Sequence, residues 1–387
     1  MIKSRVIKNS VTESSGADLR FMARAIQLAK RGIYTTHPNP RVGCVITRQD
    51  QIVGEGWHMR AGEPHAEVHA LNAAGEESDG ATAYVTLEPC SHHGRTPPCA
   101  DALIKAGVSR VVVAMQDPNP QVAGSGIAKI KAAGIDVSVG VLQAEAEALN
   151  PGFIARLTRG RPFVRCKLAM SLDGRTAMAS GESKWITSTP ARQDVQRLRA
   201  RCDAIMTGIG TVLLDDPQLD VRPEGIEELH VVLAGETQRP PMRVIVDSTL
   251  RTPVASRLLA LPGKKLIATA VEHSEILDTL RQKHVNVCRF AGGDERVNLP
   301  LLMEYLAALE INELMVEAGP VLSGAMLQAG LIDELVIYMA PHLMGDQAMG
   351  LMTLPGLDQI SQRVMLKTKD IRAVGDDWRI TLQPVAA

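Results

Sequence analysis

The stretch PHAEVHALNAAG, residues 64–75, sets His65 and His69 one helical turn apart with Glu67 between them. Two histidines at that spacing could share a metal, yet histidines on helices are more often surface or satisfied core residues. A zinc protease places its glutamate directly after the first histidine. Here Glu67 comes two residues later, and residues i and i+2 of a formed helix do not face each other. His65 and Glu67 can address one site only if the helix begins at His65, and Pro64 just upstream suits such a start.

A second stretch, TLEPCSHHGRTPPC (86–99), supplies thiols. Cys90 follows Pro89, and Cys99 precedes the helical pattern ADALIKAG. His65, Cys90 and Cys99 together form a set of three, and three protein ligands leave a tetrahedral position for water, the pattern of a catalytic zinc site. Helix N-termini favour the thiolates that zinc requires, and zinc lowers the pKa of its water to around 7. Glu67 is then free to move protons, and His-x-Glu followed by Pro-Cys and a further Cys is the zinc-deaminase signature. The spacing departs from Cys-x-x-Cys: eight residues separate the two cysteines. His92 and His93 in that loop are competing ligands, and an unligated cysteine pair is the bland alternative. Upstream, HPNPRVGCV puts Asn39 in a proline-bounded turn; its amide can donate to and accept from a substrate, though alone it is a turn signal.

Around these motifs the chain alternates strands and helices, which implies α/β layers with parallel pairings. Asp18 is expected to cap a helix over LRFMARAIQLAKRG. VGCVITR and QIVGEGW read as a hairpin, and ATAYVTL, SRVVVAMQ and IDVSVGV as strands with helices between them. Asn150-Pro151-Gly152 is a breaker cluster. The reading is a tail over 1–17, a deaminase domain over 18–150, a linker over 151–162 and a second α/β domain over 163–387. The second domain restarts with the strand RPFVRCKLAM. A helix PARQDVQRLRARC capped by Thr189 follows, and then the strands DAIMTG, MRVIVDS, KKLIATA, NVCRF, ELMVEAG and DELVIYMA. The insert at 223–241 reads as a surface excursion.

A chain of 387 residues favours two domains. Its net charge of −1 and 3% aromatic content argue against nucleic-acid or membrane-surface partners. No apolar run reaches transmembrane length, and the polar N-terminus lacks a signal-peptide core. Six dispersed cysteines do not form a disulfide framework, so a reducing, cytoplasmic compartment is expected.

HPNPRVGCV, GEGWHMRAGEPHAE and TLEPCSHHGRTPPC closely resemble the deaminase half of the bifunctional riboflavin-biosynthesis deaminase–reductase family. That family carries the longer loop between its cysteines. The resemblance continues through KLAMSLDGRTAMASGESKWITS, TGIGTVLLDDPQLDVR and VEAGPVLSGAML, covering nearly all of the chain after residue 18 except the insert. It implies a cytidine-deaminase-like α/β/α domain with one zinc ion, then a dihydrofolate-reductase-like α/β domain using NADPH. It also implies a small phosphoribosylaminopyrimidine substrate and a homo-oligomer. Carried over position by position, Ala169, Trp185, Thr211, Asp215, Ser248 and the turn Gly319, Pro320, Val321, Leu322, Ser323, Gly324 are implied NADPH contacts. Ser183, Arg199, Leu219, Arg222 and Glu317 are implied substrate contacts, with Asn39 in the first domain. Two arginines suit a sugar phosphate, which prefers forked cationic donors. Read without the resemblance, Gly208 and Gly210 are a weak dinucleotide signal. Gly319-Pro320 is an ordinary strand-to-helix turn that could hold a phosphate.

Two rivals stand beside this reading. One is a nucleic-acid deaminase with the second half as a binding module. The other is a non-catalytic zinc scaffold closed by a fourth ligand from His92 or His93.

Overall fold

The computed structural model describes residues 15–91, 98–229, 240–293 and 295–385. Most of the expected tail (1–14), the loop with His92 and His93, and the insert over 230–239 lie outside them. The chain divides into two compact units, Met1–Asn150 and Pro151–Ala387.

In the first unit the order is α1 (Gly16–Ala29), β1 (Gly43–Arg48), β2 (Gln51–Trp57), α2 (Ala66–Ala74), β3 (Thr82–Val85), α3 (Cys99–Lys105), β4 (Arg110–Val113), α4 (Ser125–Ala132), β5 (Asp136–Val139) and α5 (Gln143–Glu147). The sheet runs β2-β1-β3-β4-β5. β1 is antiparallel to β2 and β3, and β3, β4 and β5 are parallel. The hairpin turns at Gln49 and Asp50, both with positive φ, as a two-residue loop needs. Helices cover both faces. A Cβ on Gly43 would lie 2.0 Å from the Ala25 carbonyl oxygen of α1. Cys44, on the opposite face of β1, packs in a core with Ala66 and Ala70 of α2. β2 admits α2 because Gly54 and Gly56 have no side chains there: a Cβ at either would stand 2.2 or 2.3 Å from a carbonyl of that helix.

Asp18 does not cap α1. Ser15 does, accepting from the Asp18 N–H, while the Asp18 carboxylate reaches back to Ser15 in a capping box. The first helical position is Gly16, so residues 15–17 belong to the fold rather than to a tail. Asp18 carries a larger task. It is buried, and it accepts from Arg110 through Nη1 at 2.8 Å and Nη2 at 3.1 Å and from the Tyr84 hydroxyl at 3.0 Å. The breaker Asn150 is buried as well. Its side chain bridges the N–H and carbonyl of Arg41, closing the unit's last turn onto the loop before β1.

In the second unit, 151–162 is not an open linker. Pro151 opens α6 (Pro151–Arg159), since proline suits a first helical position as well as it breaks an interior one. Next come β6 (Phe163–Ser171), β7 (Arg175–Ala177), α7 (Thr189–Ala200), β8 (Ala204–Gly208) and α8 (Ile209–Asp215). The remaining strands are β9 (Met242–Val246), β10 (Lys265–Thr269), β11 (Asn286–Arg289), β12 (Glu313–Val316), β13 (Glu334–Ala340), β14 (Met349–Gly350), β15 (Leu366–Val374) and β16 (Asp377–Pro384). The cap of α7 is Ser188, one residue before the expected Thr189, and Asp377 accepts from its N–H and hydroxyl. A nine-stranded sheet runs β11-β10-β9-β8-β12-β6-β13-β16-β15. β11 through β13 are mutually parallel, and the last hairpin is antiparallel. Alternate residues feed two cores: Leu314 and Val316 on one face, Met315 with Val336 and the α7 residues Ala191 and Val195 on the other. β15 escapes a reading by alternation, because every residue from Gly356 to Ala373 is exposed.

Burial pushes the Asp18 carboxyl up, but hydrogen bonds from Arg110 and Tyr84 outweigh it and hold it below its ordinary 3.8. Its stabilising contribution is therefore complete above 3.8 and is lost as pH falls through the lower folded value. We expect Asp18→Asn to cost the first unit about 2 kcal/mol at neutral pH. In denaturant melts, the gap from wild type should close as pH drops below that range.

Candidate active sites

His65 is the N-cap of α2, in extended conformation, so its side chain leaves the helix before helical geometry is imposed. Glu67 falls in the first turn and is buried. Cys90 lies beyond β3, and Cys99 opens α3. The fold brings the three side chains together. His65 Nδ1 is 3.7 Å from Cys90 Sγ and 3.3 Å from Cys99 Sγ, and the three donor atoms lie within 4.8 Å of one another. Zinc with bonds of about 2.3 Å to sulfur and 2.0–2.1 Å to nitrogen requires N···S separations of roughly 3.5 Å. One imidazole and two thiols at these distances fit that ion. His69 does not join them: its Nε2 is buried without a hydrogen-bond partner among the described residues.

The electrostatics suit the donor set. The Cys90 thiol is drawn well below its ordinary value by a hydrogen bond from the Cys99 thiol, aided by His65 and the Cys99 backbone N–H. Cys99 is pushed up because it keeps the proton the pair shares. Glu67 is raised to about 7, chiefly by burial and further by Cys90, with His65 opposing. Its Oε2 is buried without a hydrogen-bond partner among the described residues. A carboxyl poised near neutrality with an unused oxygen beside the ligand trio suits proton transfer.

Asn39 is oriented by a residue the motif reading passed over. His58 is buried, its Nδ1 lies 3.2 Å from the Pro64 carbonyl, and its Nε2 lies 3.1 Å from Asn39 Nδ2. The carbonyl takes the Nδ1 proton, so Nε2 accepts from the Asn39 amide. Burial lowers the pKa of His58 to about 4, keeping it neutral. Asn39 thus has its Oδ1 left to accept from another donor. The signal available in sequence was the histidine seven residues before His65, which no spacing rule singles out.

In the second unit, Ala169 of β6, Thr211 after β8, Ser248 after β9 and Glu317 to Gly319 after β12 lie at or beyond the carboxyl ends of adjacent parallel strands. Chain order reverses there, since β6 and β8 flank β12, and α/β sheets bind ligands at such points. Gly319 caps the helix Pro320–Gln328, within 4.0 Å of Thr211 Oγ1 when given a Cβ. Ser183 donates to Asp215. Arg199 is buried and turns its fork on Glu317, with Nη2 at 3.0 Å, while Nη1 donates to the Asp220 carbonyl at 2.7 Å. In this fold its fork meets a carboxylate. Arg222 is exposed and forms no ion pair with any described residue. Leu219 is a core side chain. Ser323 and Gly324 face inward, and a Cβ on Gly324 would stand 2.0 Å from the Thr353 carbonyl oxygen. Trp185 is 66% exposed, with the Arg192 guanidinium 4.6 Å from its ring. Lys167, unremarked in the sequence, stands on β6 near Glu317 and Arg199, its pKa lowered by burial against the pull of Glu317.

Family models match both units: the cytidine and deoxycytidylate deaminase zinc-binding region over residues 15–115, and the RibD C-terminal domain over residues 162–380. The chain is 55% identical to riboflavin biosynthesis protein RibD of Escherichia coli over 362 residues, 93% of this chain and 97% of that protein. The chain belongs to the RibD family. It shares 48% identity with RibD of Haemophilus influenzae over 96% of its own length and 99% of that protein. The Acinetobacter baumannii RibD structure superposes with a TM-score of 0.87 at 45% identity, covering 95% of this chain and 99% of that one. A Thermotoga maritima structure matches with a TM-score of 0.81 at 33% identity, over 95% of this chain and 99% of that one. It is described as a diaminohydroxyphosphoribosylaminopyrimidine deaminase/5-amino-6-(5-phosphoribosylamino)uracil reductase. RibD membership makes this a bifunctional riboflavin-biosynthesis enzyme with a zinc-binding deaminase domain and an NADPH-dependent reductase domain. Among the described residues no helix is long and apolar enough to cross a membrane.

Cys90→Ser or His65→Ala should cut bound zinc well below one ion per chain, measured by elemental analysis after dialysis. Full zinc in both variants would mean that other residues hold the metal.

Proposed function

We propose that the first unit converts 2,5-diamino-6-(5-phosphoribosylamino)pyrimidin-4-one and water to 5-amino-6-(5-phosphoribosylamino)uracil and ammonia. The second unit then reduces the ribosyl group of that product to ribityl with NADPH. The observation that carries the reading is the meeting of His65, Cys90 and Cys99 beside a buried carboxyl near neutral pKa. Zinc bound by that trio supplies the Lewis acidity that makes water a nucleophile at neutral pH. Glu67 takes the proton that water gives up and delivers it to the ring nitrogen; it then takes the proton of the hydroxyl newly bonded to the ring carbon and passes it to the amino group as the C–N bond breaks and ammonia leaves. The inward-turned amide of Asn39 leaves Oδ1 to accept from a ring N–H, which a diaminopyrimidinone offers.

In the second unit NADPH supplies the hydride, and the protein positions both partners. Ala169, Trp185, Thr211, Asp215, Ser248 and the backbone from Gly319 to Gly324 form the cofactor side. Ser183, Arg199, Arg222, Glu317 and the backbone at Leu219 form the substrate side. The exposed Arg222 takes the phosphate, while the Arg199–Glu317 pair forms the floor beneath the sugar. Six free cysteines suit a reducing cytosol. The exposed Ile360, Met365, Ile371 and Trp378 of the second unit suit a homo-oligomer.

Glu67→Gln should retain zinc yet slow ammonia release by about 100-fold or more. Deamination at the wild-type rate would remove Glu67 from proton transfer. For the reductase, Arg222→Ala should raise KM for the phosphorylated substrate about 10-fold, with KM for NADPH little changed. Arg199→Ala should also lower the melting temperature, because the largely enclosed Glu317 then loses its ion-pair partner. Equal effects of Arg222→Ala on both KM values would remove Arg222 from the phosphate.

A further inference from the structure

Glu88 sits two residues before Cys90 and is buried. No arginine or lysine among the described residues pairs with it. Four backbone amides do the work instead. Oε1 accepts from Gly126 at 2.9 Å and Ile127 at 3.2 Å, and Oε2 from Asp117 at 3.1 Å and Gly124 at 2.9 Å. The first pair belongs to the opening turn of α4, whose own N-cap, Gly124, has no side chain to satisfy it. The second pair holds both ends of the segment from Asp117 to Gly124. One carboxylate thus ties residues 117–127 to the turn that presents Cys90.

Two further contacts tie the same surfaces. Gly126 lies against Pro89 so closely that a Cβ would stand 1.9 Å from the Pro89 carbonyl oxygen. The hydroxyls of Ser91 and Ser125 are 2.7 Å apart. Between the tied segments lies a small cleft where Asp117, Val122 and Ser125 face Cys90 and Ser91. The N–H of Asp117 is itself one of the four that Glu88 accepts, so the carboxylate decides where Asp117 stands relative to a zinc ligand.

We propose that Glu88 is a positioning residue for deamination: it holds the Asp117 segment as the substrate-facing wall opposite the Cys90 turn. A residue that only capped α4 would affect stability. A residue that places a wall affects how substrate is held. Glutamine at this position cannot replace it, because one acceptor oxygen becomes an NH2 group facing two N–H donors.

The proposal rests on the deaminase reading, and the full-length protein carries its own control in the reductase half. Wild-type ammonia release and zinc content test the deaminase reading alone; variant-to-wild-type ratios test Glu88. For Glu88→Gln we expect KM for the diaminopyrimidine to rise about 10-fold, with kcat within about 3-fold of wild type. Zinc should stay at the wild-type level, and reduction of preformed 5-amino-6-(5-phosphoribosylamino)uracil should be unchanged. In Glu88→Gln/Asp117→Asn, KM should rise no further than in Asp117→Asn alone, since the first acts through the second. Unchanged KM, loss of zinc, or multiplicative losses in the double variant would each overturn the proposal. If Glu88→Gln does not fold, Gly126→Ala moves the same wall without altering the carboxylate. It should raise KM similarly, and an unchanged KM there is equally decisive.

Discussion

Two glycines on β2, Gly54 and Gly56, let α2 press its backbone against the strand, and the deaminase site depends on that approach. A methyl group at either place would strike a helix carbonyl at 2.2 or 2.3 Å. Helix and strand would have to separate, carrying the start of α2 away from the thiols. His65 and Glu67 ride on that start, His65 as the cap and Glu67 buried in the first turn. Their i, i+2 spacing, wrong for a formed helix, becomes right because one of them is outside it. Tight packing in this fold is therefore a condition of its chemistry.

Buried charge is handled differently in the two kinds of place. Where only structure is at stake, charges are paired: Asp18 with Arg110, and Arg165 between Glu313 and Glu334. Each removes a group that would be costly if left alone. At the ligand trio, Glu67 is buried and keeps an oxygen without a hydrogen bond among the described residues, and its pKa sits near neutrality as a result. Glu88, a few residues from Cys90, shows a third arrangement, a carboxylate balanced by four neutral amides. That arrangement needs no countercharge near the thiolates and leaves their electrostatics to His65 and the helix starts.

The second unit has no comparable motif because hydride transfer asks mainly for placement. The residues proposed for its binding side look unremarkable one at a time. Ala169, Thr211, Ser248 and Gly319 are separated by tens of residues and share only their position at the ends of neighbouring strands. Arg199 is held there by Glu317, a partner distant in the chain.

Sequence by itself determined the division into two units near Asn150, the hairpin and most strands, and it singled out His65, Glu67, Cys90 and Cys99. Each of these is carried by local periodicity, a breaker cluster, or side-chain types whose chemistry has few other uses at that spacing, whereas the reductase role of the second half came from the family resemblance alone. It misplaced the caps at Asp18 and Thr189 by a few residues, because several neighbouring polar side chains could serve. It took Pro151 for a linker, because proline both breaks and begins helices. Tertiary structure alone decided that His58 aims Asn39, that Glu88 gathers four amides, that Arg199 faces inward and that the last hairpin completes the sheet. All four are contacts between segments distant in the chain. Their partners are set by how close backbones approach, a quantity no stretch of residues states about itself.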